Sequence, residues 1–112
     1  MRFSSLPEFD KDLKKLRKRF GTLEDDLEVL KKVLAVSPDA LPPRSFSISG
    51  TGASVPVIKV KKFACRALKG SGSNSGIRVI YAYYSAAHEI KFIEIYFKDD
   101  KENENRDRFT GL

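Results

Sequence analysis

The chain has 112 residues and a mass of 12.6 kDa, 41% of them hydrophobic, which suits one packed domain over residues 1–112 and excludes a disordered tail or a second core. One cysteine, Cys65, and one histidine, His88, exclude a disulfide framework, a multi-cysteine zinc site and a His-rich metal site. Lys and Arg number 21 against 15 Asp and Glu, a net charge of +6, and no apolar run nears the ~20 residues that cross a bilayer.

Met1–Ser5 does not open an apolar leader, so a cytoplasmic, reducing setting is expected, and Arg2–Ser4 can form an edge strand. From Pro7 to Phe20, the stripe Phe9, Leu13, Leu16, Phe20 predicts an amphipathic helix. Ser5 is its expected cap, Pro7 suits its first turn, and Gly21 its end. Thr22 and Asp25 read as a capping box opening a second helix, whose stripe is Leu23, Leu27, Leu30 and Leu34. Ser37-Pro38 stops it, and the pair is expected to make a helical hairpin. Pro38–Pro56 holds four of the five prolines and reads as an irregular connection. Gly50-Thr51-Gly52 within it precedes no helix pattern, so it is a turn and not a phosphate loop.

The remainder is β in character. Val57–Leu68 alternates, then changes parity at Phe63, Cys65 and Ala67, which predicts a bulge. Lys69–Gly76 is a polar hairpin loop that would set Arg78 across from Arg66–Lys69. Ile77–Tyr84 and Ile90–Phe97 are apolar on both parities, as strands covered on two faces are. The expected fold is α+β, a helical hairpin on a small, mainly antiparallel twisted sheet of three to four strands. A polar tail follows from about Asp99 to Leu112, where Asp99 or Asp100 would cap a last short helix.

The charge is unevenly placed. Residues 40–88 carry seven bases (Arg44, Lys59, Lys61, Lys62, Arg66, Lys69, Arg78) and no acid, while the flanking segments nearly balance. An acid-free sheet of that kind points to a polyanion or an acidic partner. Arg78 stands out because its neighbours are apolar; it needs either an anionic ligand or a partner such as Glu94. Lys59 and Lys61 taken singly read as edge-strand charges. Tyr81, Tyr83, Tyr84 or Tyr96 can stack on unpaired bases or pack in the core, so RNA fits this composition better than a membrane. Cys65 reads as a buried apolar residue and His88 as a solvated turn residue. Asp99, Asp100, Glu102 and Glu104 read as a helix start, and no metal or cofactor is expected.

The element order, with Lys61-Lys62, the run Lys69–Tyr81 and the run Ile95–Glu102, resembles the RelE/HigB branch of bacterial type II toxin–antitoxin toxins from about Phe9 to Glu104. The Gly-x-Arg-x-x-Tyr core at Gly76, Arg78 and Tyr81 is the most specific part, supported by Tyr96 and Lys98. The resemblance implies a RelE-like fold and an endoribonuclease that cuts mRNA, generally on the translating ribosome, restrained by a cognate antitoxin. It makes Arg78, Lys98 and Lys101 the catalytic candidates and Lys61, Lys62, Arg66 and Lys69 the RNA-binding ones. No histidine follows Lys101, so the general acid and base are unassigned. Metal-free cleavage by the ribose 2′-OH suits such a site, because clustered cations can orient the phosphate and stabilise its developing charge. Three alternatives stay open: a ParE-type gyrase-inhibiting toxin, a non-catalytic RNA-binding module, and a decayed toxin that keeps only the fold.

Overall fold

In the computed structural model, which describes residues 1–68, 70 and 72–112, the leucine stripe builds α2 (Leu23–Val36) and turns Leu23, Leu27, Leu30 and Leu34 inward. The preceding helix, α1 (Pro7–Leu16), is shorter than its stripe predicts. Arg19 and Phe20 both send their N–H groups back to the Leu16 carbonyl, and this tightening ends the helix while still burying Phe20. Gly21 is therefore not a left-handed helix stop. Ser5 is not a cap either: Leu6 holds that position, and the Ser5 hydroxyl donates to Asp10.

The capping box at Thr22 is also replaced by a longer-range contact. The Thr22 hydroxyl donates to Asp26 at 2.7 Å and accepts the Ala67 N–H at 2.9 Å. Asp26, buried, takes both the backbone N–H and the Nε–H of Arg66. Thr22 and Asp26 thus staple the start of α2 to a distant turn.

Five strands occur among the described residues, one or two more than expected: β1 (Arg2–Ser5), β2 (Ser45–Ser47), β3 (Val57–Val60), β4 (Ile77–Tyr84) and β5 (Glu89–Phe97). Their order is β1-β5-β4-β3-β2, with β1 parallel to β5 and the other neighbours antiparallel. The expected edge strand is β1. The unexpected one is β2, whose three residues are too few to show alternation among prolines.

The parity change after Val60 marks a strand end rather than a bulge. Lys61 and Lys62 both direct their N–H groups to the Arg44 carbonyl, Phe63 makes only an isolated bridge to Asn74, and Cys65–Leu68 turns. The bulge lies instead where β4 meets β5, between Ile80 and Tyr81, opposite the extra residue Ile93.

Ile77, Val79 and Tyr81 face the helices, and Ile80 and Ala82 face the opposite side. That second face is covered by the charged C-terminal segment. Phe109 is 1% exposed against Val57, Ile80 and Ile93, so one aromatic docks a stretch that otherwise reads as polar. Burying it contributes about 2–3 kcal/mol. The last short helix is a 3₁₀ turn at Arg106–Phe109, capped by the Asn105 side chain and not by Asp99 or Asp100.

Lys59 and Glu104 clamp this segment to β3 at 3.0 Å, both largely buried. Burial pushes the Glu104 carboxyl up, but backbone N–H, Lys59 and Arg106 outweigh it and hold its pKa below the ordinary 4.5. Burial likewise pulls the Lys59 ammonium down, but Tyr96 and Glu104 outweigh it and hold it above 10.5. The Glu104 contribution is present above pH 4.5 and is lost as pH falls through the depressed value; that of Lys59 is present below 10.5 and is lost above its raised value. Protection of the Phe109 amide against exchange, relative to its intrinsic rate at each pH, is expected to fall on the acid side first. Glu104→Gln should flatten that acid limb; an unchanged limb would contradict the clamp.

Candidate nucleic-acid interface

At the start of β4 the chain brings four cations to one cleft. Gly76 leads into the strand with φ +83°, a left-handed conformation that disfavours side chains. A Cβ there would stand 3.1 Å from the Phe97 ring and 3.2–3.3 Å from the Lys98 side chain. The glycine therefore lets the end of β5 close against the start of β4, where the Lys98 N–H meets the Gly76 carbonyl at 2.9 Å. Ser75, buried, fixes the approach by donating to the Phe63 carbonyl and accepting the Ile77 N–H.

Two residues on, Arg78 lies opposite Tyr96 of β5 and donates to the Lys61 carbonyl at 2.8 Å. This hydrogen bond sets the guanidinium beside Lys61 and not across from Arg66, where the hairpin reading had begun its pairing. Lys61 and Lys62 leave β3 side by side because the Arg44 carbonyl takes both their N–H groups, at 3.0 and 3.1 Å. The result is a cleft of about 290 Å³ lined by Pro43, Phe46, Lys61, Lys62, Asn74, Gly76, Arg78 and Lys98. No carboxylate lines it, and among the described residues none of its four cations forms an ion pair.

Two other sequence candidates, Arg66 and Lys101, lie elsewhere. Arg66 is held by Asp26 at 3.1 Å, with Asp25 at 3.5 Å, beside α2. Lys101 pairs with the buried Glu94 and lines a separate groove with Asp12, Leu16 and Ile95. Glu94, filled by Lys101 and the Asn105 N–H, is not the partner of Arg78. Lys69 lies outside the described residues. Cys65 is buried and His88 is an exposed turn residue at φ +49°, as expected.

None of the tyrosines lines the cleft. Tyr81 and Tyr96 are buried, and Tyr83 and Tyr84 lie at the far end of β4. Tyr81 instead donates its hydroxyl to the Pro38 carbonyl at 2.6 Å, tying the connection that carries β2 to the core strand. The aromatic at the cleft is Phe46, which the prolines around it disguise; its one sequence signal is a lone aromatic between two serines.

No protein-family model matches the sequence, and no curated protein matches it. Among solved structures, the chain superposes on one from the crystal structure of the archaeal RelE–RelB complex of Pyrococcus horikoshii OT3, with a TM-score of 0.55. The match covers 87% of this chain and 93% of that chain at 18% identity. The fold is RelE-like. Within that RelE-like frame, the Gly-x-Arg-x-x-Tyr run has a physical reading. Gly76 permits the close approach of β5, Arg78 enters the cleft, and Tyr81 pins the Pro38 connection.

Gly76→Ala is expected to lower stability by about 1–2 kcal/mol from left-handed strain alone, and more if the Phe97 ring cannot yield. Thermal denaturation should show Gly76→Ala below Gly70→Ala, since the latter position is also left-handed but has open space. Equal losses would show that the contact with Phe97 and Lys98 carries no energy.

Proposed function

We propose that this chain is the toxin of a type II toxin–antitoxin pair, a metal-independent endoribonuclease that cuts mRNA on the translating ribosome and so inhibits translation. The observation that carries the reading is the acid-free cleft of Lys61, Lys62, Arg78 and Lys98 on a RelE-like fold. Four uncompensated cations around one cavity fit a phosphodiester, because each positive group gains a partner there and loses none.

The chemistry asked of the cleft is orientation and charge stabilisation. The ribose 2′-OH attacks phosphorus and loses its proton, the 5′-oxygen leaves and gains one, and a cyclic phosphate forms. Arg78, fixed by the Lys61 carbonyl, presents remaining N–H groups to a non-bridging oxygen. Lys61, Lys62 and Lys98 add charge around the transition state. A lysine of this group is the candidate proton carrier. The same cations give a cognate antitoxin its target: an acidic segment that folds on binding and covers the cleft. The RelE–RelB complex supports a protein partner of this kind.

Induced expression tests the proposal. Growth arrest with loss of message is the expected result, at cleavage sites mapped by primer extension in a translating extract; purified protein stripped of metal with EDTA and dialysed before addition should cut at the same sites. Arrest with DNA damage and intact message would instead indicate a gyrase-inhibiting toxin. Intact growth and message would leave a binding module.

A further inference from the structure

Phe46 is the one aromatic among the exposed large hydrophobic residues described, 37% exposed on the edge strand β2. An edge strand ordinarily presents polar side chains to water, so an aromatic ring there costs solubility without adding to the core. Its ring lines the four-cation cleft, and the Lys61 Nζ lies 5.1 Å from its centroid. A cation at that distance holds the ring in place and polarises it. The nearby chain adds support. Tyr81 ties Pro38 to β4, and the buried Ser45 accepts the Leu41 N–H, so the segment carrying Phe46 is anchored on both sides of its prolines.

We infer that Phe46 is a stacking platform for one unpaired base of the strand whose phosphates occupy the cleft. This rests on the cleft being an RNA site and adds what the cations cannot supply. Phosphate contacts hold any polyanion, whereas a flat apolar ring beside them selects a strand whose base is free to turn outward. The cleft would then prefer single-stranded over duplex RNA, and a base-bearing nucleotide over an abasic one, with little discrimination among bases.

The probe is a short 2′-O-methyl RNA, which binds without being cut, carrying 2-aminopurine at its centre, beside the same strand with an abasic centre. The full chain is expected to bind the base-bearing strand about tenfold tighter and to quench its fluorescence. Phe46→Leu should remove both the preference and the quench while leaving abasic binding unchanged. Phe46→Trp should keep both. Equal binding of the two strands by the wild type, or a preference that survives Phe46→Leu, would overturn the inference while leaving the phosphate site standing. Failure of both strands to bind would overturn the phosphate site and this inference with it.

Discussion

Replacing Arg78 by alanine is expected to slow cleavage of ribosome-bound message by about two to three orders of magnitude while leaving the protein folded. Removing one preorganised donor from a developing oxyanion typically costs that much. Arg78 combines a fixed position with an unpaired charge. Its Nη1 is held by the Lys61 carbonyl at 2.8 Å, its strand neighbours Ile77 and Val79 are fully buried, and no carboxylate lines its cleft. The fold loses one hydrogen bond, about 1 kcal/mol, so thermal unfolding should move little. Arg78→Lys is expected to recover only part of the rate, because an ammonium lacks the planar fork that spans two phosphate oxygens. Cleavage by folded Arg78→Ala at the wild-type rate would remove this residue from the mechanism.

Lys101→Ala is expected to act on stability instead. Glu94 is 1% exposed, and its carboxylate is met by the Lys101 ammonium and by the Asn105 N–H at 2.7 Å. Removing the lysine leaves a buried carboxylate with one neutral donor, a loss of about 2 kcal/mol once the partial exposure of Lys101 is allowed for. Lys98→Ala removes an exposed, unpaired charge and should leave unfolding nearly unchanged while slowing cleavage. Denaturant unfolding of the two variants side by side separates the roles. The Lys101→Ala loss should shrink when Glu94→Gln is added, since no charge then stays buried alone. A Lys101→Ala variant as stable as wild type would contradict the pairing.

The helices and central strands were legible because their patterns are long: the leucines of α2 and the two-sided apolar runs of β4 and β5 each repeat several times. Of the seven bases in the acid-free stretch, Lys61, Lys62 and Arg78 line one cleft, which Lys98 joins from beyond the end of β5. Their true neighbours were less legible, since a single carbonyl, that of Arg44, ends β3 and turns both lysines into the cleft. Sequence spacing carries no record of such a contact. Arg66 and Lys101 look equivalent to the cleft cations in a charge count. Only folding shows Asp26 and Glu94 beside them. Phe109 and Phe46 went unread for a common reason: each is a lone aromatic in a segment whose other residues argue for irregular, solvated chain.

The claim that this cleft binds an RNA backbone is tested most directly by the salt dependence of binding to uncut 2′-O-methyl single-stranded RNA. Three to four phosphate contacts predict a slope of log K against log salt of roughly −2 to −3. Lys61→Ala combined with Lys62→Ala should reduce its magnitude by about 1.4, the share of two contacts. Lys14→Ala combined with Lys18→Ala, exposed charges outside the cleft, should leave it unchanged. A slope that both pairs reduce equally, or that the cleft pair leaves intact, would contradict the account.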